Sequence, residues 1–176
     1  MVFCFHGGGG KAYFAVDEYA IHKNWPEALV YYAQGLAGSG GYSSWSRRDV
    51  AFFDAMRSDA VHHRNADPAR VFVMGYSTGA NFCGDLWGLR GSQIAGFAFV
   101  SGGRYAKSWP PRPVYLSYGQ EPDGPRLKAL GNLLSAVAAK AHMAFILHPR
   151  STGHTYPQDE DVAIANFLKT SAAKRL

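Results

Sequence analysis

Little in this chain of 176 residues suggests covalent bracing or bulk electrostatics. It has two cysteines, too few for a disulfide framework. Charged residues make up 18%, below the roughly 25% usual in soluble domains. No run approaches the ~20 apolar residues of a membrane-spanning helix. No basic segment followed by an apolar stretch precedes the first strand-like run, so no signal peptide is read and the compartment is left open. The excess of base is small, 18 Lys and Arg against 13 Asp and Glu. The densest basic groups, Arg47-Arg48 and Lys174-Arg175, form no stripe and accompany no nucleic-acid motif, which argues against a nucleic-acid partner. Cys4 and Cys83 sit in apolar contexts and read as buried thiols.

What is present is core-forming material. Hydrophobic residues are 47% and aromatics 14%, which excludes disorder, and the length fits one domain over residues 1–176. Short runs that are apolar on both faces recur: Val2–Phe5, Ala28–Ala33, Val71–Met74, Ala95–Val100, Val114–Tyr118 and Ala144–Leu147. Segments with helical spacing lie between them, at Asp49–His63 (with Asp49 as cap), Ala80–Leu89, Pro125–Ala141 and Asp159–Lys174. Strands covered on both sides by helices predict an α/β fold. We expect a three-layer αβα sandwich around a mostly parallel sheet of about six strands. Ligands then bind at the carboxyl ends of the strands. The Gly- and Ser-rich stretch Gln34–Arg48 reads as a loop at that end.

Two glycine motifs follow strands. Gly75-Tyr76-Ser77-Thr78-Gly79 is G-x-S-x-G between a strand and a helix, the context that confirms a nucleophile elbow. A sharp turn there lifts Ser77 above the sheet, and small residues on either side let backbone pass closely. His6-Gly7-Gly8-Gly9-Gly10 suits an oxyanion loop, in which backbone N–H groups of Gly7 or Gly8 join that of Thr78. Nucleotide readings fail. A P-loop would need glycine where Phe5 stands and Ser or Thr where Ala12 stands. A dinucleotide fingerprint would need an acid near Tyr32-Ala33-Gln34. No cofactor and no metal site is expected.

A serine nucleophile needs a base and an orienting acid, in the order Ser, Asp/Glu, His for this architecture. His154, in a small-residue loop after the last strand, fits the base. His22, His62 and His63 read as helical, His142 and His148 come too early, and His6 belongs to the glycine loop. The acid should follow Val114–Tyr118, where Glu121 and Asp123 both stand. Asp123, followed by glycine in a turn, is favoured.

With these residues in place, the chain resembles the α/β-hydrolases, in the branch of poly(3-hydroxybutyrate) depolymerases and feruloyl or acetyl-xylan esterases. Tyr31–Leu36 (YYAQGL), Asp49–Phe52 (DVAF), Asp67–Val71 (DPARV) and Gly153–Pro157 (GHTYP) are similar to segments of that branch. The resemblance implies ester hydrolysis through an acyl-enzyme, with a small-molecule or polymer ester as substrate. It also implies that Trp45 and Tyr156 are substrate-wall aromatics, joined by Tyr76 beside the nucleophile. The acid segment is one residue longer than the branch's pattern, and the two strands that usually precede the oxyanion loop are missing. Ala28–Ala33 should therefore lie at a sheet edge, where strand pairing between two copies would give a homodimer. Two other readings share the fold: a non-catalytic binding module, and a thioesterase or acyltransferase using the same machinery.

Overall fold

The computed structural model describes residues 1–36, 42–120 and 122–173. They build one six-stranded sheet in which every pairing is parallel. The strands are β1 (Val2–Phe5), β2 (Val30–Ala33), β3 (Phe72–Tyr76), β4 (Gly96–Val100), β5 (Val114–Gly119) and β6 (Phe145–Arg150). Their order in space is β2-β1-β3-β4-β5-β6, so β2 lies at an edge as expected and the nucleophile motif ends a central strand. The helices are α1 (Ala12–Tyr19), α2 (Ile21–Asn24), α3 (Val50–His63), α4 (Thr78–Arg90), α5 (Gly124–Ala141) and α6 (Glu160–Ala173).

The strands are apolar on both faces because each face has its own core. Successive side chains of a strand point to opposite sides. Phe3, Phe5, Val73, Phe97, Phe99 and Leu116 pack with α3, α4 and α5. Val2, Cys4, Phe72, Met74, Val100 and Tyr115 pack with α1, α2 and α6. The first layer is dominated by rings. Trp87 stacks on Phe97 at 4.3 Å between centroids with 10° between planes, and both are fully buried. Cys4 and Cys83 are free and belong to opposite layers, with the sheet between them. No helix among the described residues is long and apolar enough to cross a membrane.

Three details differ from the sequence expectation. Helix α1 follows the glycine loop at once, starting at Lys11 without a side-chain cap and ending at Ala20 with φ 38°, so no start or stop residue announces it. The cap of α3 is a reciprocal pair one turn earlier. Ser46 Oγ accepts from Arg48 N, and Ser46 N donates to Asp49 Oδ2 at 2.7 Å, so Asp49 answers Ser46. Strand β6 runs past its apolar stretch through His148, Pro149 and Arg150, because an edge strand tolerates a residue that cannot donate to the ladder.

A very tight passage joins β1 to α4. A Cβ on Gly79 would lie inside van der Waals contact of the Phe5 carbonyl oxygen, with His6 O at 2.7 Å. A Cβ on Gly75 would strike the backbone of Gly79. Overpacking of this kind typically costs about 1–3 kcal/mol. Gly79→Ala is therefore expected to lower the unfolding free energy by that amount or more, read in an equilibrium urea experiment as a lower midpoint at an unchanged m-value.

Candidate active site

The parallel strands turn all their carboxyl ends to one edge of the sheet, and Ser77, Ser101 and Gln120 follow β3, β4 and β5 there. Ser77 has φ 54° and ψ −115°, a backbone conformation that costs free energy for a residue with a side chain. It is held there from both sides. Ser77 N donates to Val100 O at 2.9 Å, and Ser77 O accepts from Asn81 N at 3.1 Å. A Cβ on Gly102 would strike Ser77 O, so the turn after β4 also closes on the elbow.

His154 reaches back over this turn. Its Nε2 lies 2.9 Å from Ser77 Oγ, and its Nδ1 lies 3.0 Å from Asp123 Oδ2. Asp123 accepts only, so Nδ1 carries the proton and Nε2 accepts from the serine hydroxyl. Asp123 occupies the N-cap position of α5, with Arg126 Nε 4.0 Å from its other oxygen. The Tyr76 hydroxyl donates to the His154 carbonyl at 3.0 Å. Glu121, the alternative acid, lies outside the described residues.

The glycine loop is fastened by its neighbours. Gly9 N donates to Ser43 O at 2.7 Å, Gly10 N to Gly7 O at 3.0 Å, and Ser43 Oγ to Gly10 O at 2.5 Å. The Tyr42 ring lies on Gly8 and Gly9, so a side chain at Gly8 would collide with its hydroxyl, and Gly9 has φ 73°. His6 is buried beneath the loop. Its Nδ1–H donates to Gly7 O at 2.7 Å, and its Nε2 accepts from Gly35 N at 3.0 Å. Burial pulls its pKa below the ordinary imidazole value, with nearby Lys11 pushing the same way and the bond to Gly7 opposing. Thr78 opens α4, in the first turn where helix N–H groups lack intrahelical acceptors.

Of the three aromatics expected to wall the substrate, two turn inward and one faces a cavity. Trp45 is 9% exposed. Its indole N–H donates to His6 O at 2.9 Å, and its ring stacks on Phe82 at 5.3 Å. It props the glycine loop from inside the core. The Tyr156 hydroxyl is buried, and its ring packs on Tyr19 at 4.6 Å in the opposite layer, because the residue after the base loop turns inward. Tyr76 does face a cavity of about 110 Å³, together with Gly7, Gly8, Phe14, Glu18 and Tyr19. Phe14, Glu18 and Tyr19 come from α1, which carried no sequence signal. Among the described residues no three His, Cys, Asp or Glu side chains gather as metal ligands would.

No protein-family model and no curated sequence matches the chain. Solved structures do. A Bacillus cereus carboxylesterase superposes with a TM-score of 0.73 at 17% identity, covering 97% of this chain and 88% of that one. A Mesorhizobium loti carboxylesterase gives 0.74 at 20% identity, covering 96% and 87%. A point variant of Arabidopsis thaliana SOBER1 gives 0.75 at 15% identity, covering 97% of both chains. The sheet order, the all-parallel pairing and these superpositions make this an α/β-hydrolase fold.

The lowered His6 pKa sets a direction for acid sensitivity. The folded chain binds that proton less readily than the unfolded chain. The resulting stability is fully present above about pH 6.5, the ordinary imidazole value, and drains as the pH falls through the lower folded value. His6→Gln, which has no titrating ring, should show a shallower fall in Tm than the wild type between about pH 7 and pH 5. Equal slopes would place the acid sensitivity elsewhere.

Proposed function

We propose that this protein is a serine esterase, acting as one catalytic domain that cleaves carboxylic esters through an acyl-enzyme. The observation that carries the reading is the continuous relay Asp123 Oδ2, His154, Ser77 Oγ, with contacts of 3.0 and 2.9 Å on a strained strand-to-helix turn. Ser77 Oγ attacks the ester carbonyl while His154 Nε2 takes its proton. Asp123 holds the imidazole tautomer and stabilises the imidazolium. The Thr78 N–H and that of Gly7 or Gly8 receive the oxyanion. His154 then returns the proton to the departing alcohol. Water attacks the acyl-enzyme by the same route in reverse, releasing the acid and restoring Ser77.

The cavity beside the glycine loop, lined by Gly7, Gly8, Phe14 and Tyr76, is the place the site offers to the acyl group. The carboxylesterase names of structural neighbours agree with an ester as substrate.

Ser77→Ala should abolish both hydrolysis of p-nitrophenyl acetate and labelling by a fluorophosphonate probe, while its melting curve stays that of a folded protein. Full activity in that variant would overturn the mechanism, and an unlabelled, inactive wild type would favour a binding module. Asp123→Asn should lower kcat on the order of 10⁴-fold through the wrong imidazole tautomer. Glu121→Gln should leave kcat nearly unchanged.

A further inference from the structure

One charged side chain behind the site is not accounted for by this mechanism. Arg150 ends β6, and its side chain is 8% exposed. Its Nη2 donates to Ser101 Oγ at 3.2 Å and to the Thr155 carbonyl at 3.3 Å. Ser101 Oγ donates to the same carbonyl at 3.3 Å, closing a triangle. Thr155 is the residue after His154, and its own N–H turns back to Gly153 O at 2.9 Å. The triangle therefore pins the peptide that leaves the base.

Ser101 connects this pin to the nucleophile. Its predecessor Val100 accepts the Ser77 N–H at 2.9 Å, and its own N–H donates to Ser117 O at 2.8 Å. One residue thus separates the bond that anchors the elbow from the contacts that anchor the base loop. Arg150 is aimed in turn by Glu160, whose side chain is 1% exposed and whose Oε2 lies 3.7 Å from Arg150 Nε. The Tyr115 hydroxyl donates to the other Glu160 oxygen at 2.6 Å, and His148 Nδ1 lies 2.9 Å from the Tyr115 hydroxyl. A buried ion pair is weak evidence of a stabilising role, since well-packed apolar side chains often serve as well. Here Nη2 alone meets acceptors, two at once, while Nε and Nη1 are buried without a hydrogen-bond partner, so the guanidinium is placed to hold the Thr155 carbonyl and Ser101 together.

We propose that Arg150 is a positioning residue for the base: by locking the Thr155 carbonyl against Ser101 it keeps the His154 imidazole at hydrogen-bond range of Ser77. This rests on the esterase reading above. The test compares wild type with Arg150→Lys, which keeps the charge but not the two Nη2 donors. It adds the double variant Arg150→Met, Glu160→Gln, which leaves no unpaired charge buried, and Ser101→Ala, which keeps the ion pair. Active sites are titrated with a fluorophosphonate, and kcat per titrated site and KM are measured with p-nitrophenyl acetate. Both Arg150 variants should lose about tenfold to a hundredfold in kcat per site, the scale of an ångström-sized misplacement, with KM within about twofold. Ser101→Ala should change in the same direction. A merely structural role would lower Tm and the number of titrated sites but leave kcat per site at the wild-type value, and that result overturns the proposal. Should the Arg150 variants not fold, Ser101→Ala decides by the same ratio. Failure of the esterase reading shows separately, as a wild type that neither hydrolyses the ester nor takes the label.

Discussion

The contact on which the site depends involves an atom that is not there. Strand β1 and helix α4 approach so closely at Gly79 that a single Cβ would occupy the space of the Phe5 and His6 carbonyl oxygens. That approach sets the glycine loop, which continues from β1, beside the turn that carries Ser77. Gly75 makes the matching concession on the strand side of the turn. The positive φ of Ser77 is tolerated because the surrounding backbone leaves it no alternative. Val100 O, Asn81 N and the close-packed Gly102 enclose it on three sides. On the esterase reading, nucleophile and oxyanion donors are thus preorganised before any substrate arrives, which is the arrangement electrostatic catalysis needs.

The other half of the site is fastened differently. His154 and Asp123 lie in turns beyond β6 and β5, where a Cβ on Gly119 would strike Gly153 O and Gln120 N donates to Thr152 O at 3.0 Å, so close backbone packing holds the base loop as well. They are also held by polar side chains: Tyr76 on the His154 carbonyl, Ser101 and Arg150 on the Thr155 carbonyl, and Arg126 near Asp123. Glu160 and Tyr115 set the direction of Arg150 from the layer below. Ser77 is held by backbone contacts alone, whereas the His154 loop adds directed side-chain hydrogen bonds to its close packing on Gly119.

The strands and the order of chemical groups were legible because both follow from patterns short enough to survive in one sequence. Runs buried on two faces leave no polar alternation, so β1, β3, β4 and β5 stand out. Gly75 to Gly79 and His6 to Gly10 stand out because sterics demands glycine there. Ser77, Asp123 and His154 could be singled out by chain order, and the structure sets them in hydrogen-bond contact. What was not legible depends on tertiary direction. Trp45 and Tyr156 are aromatic whether they face substrate or core, and only the fold decides that both turn inward. Helix α1 carries no cap, so its part in the cavity is invisible beforehand. Arg150 reads as an ordinary charged residue at the end of a strand. Its burial arises from Glu160, ten residues later and one layer away.

On the esterase reading, the strand order has a consequence for how activity would be lost on heating. Ser77 and the glycine loop ride on β3 and β1 inside the sheet, whereas the base follows β6, an outer strand whose residues alternate between half-buried and exposed. Outer elements with few buried contacts open at lower free energy than the global transition. Partial opening at β6 would carry His154 away while the serine turn stayed formed. Catalysis would then behave as a thermometer of the sheet's margin, failing first and reversibly, well below the temperature at which the two aromatic layers come apart.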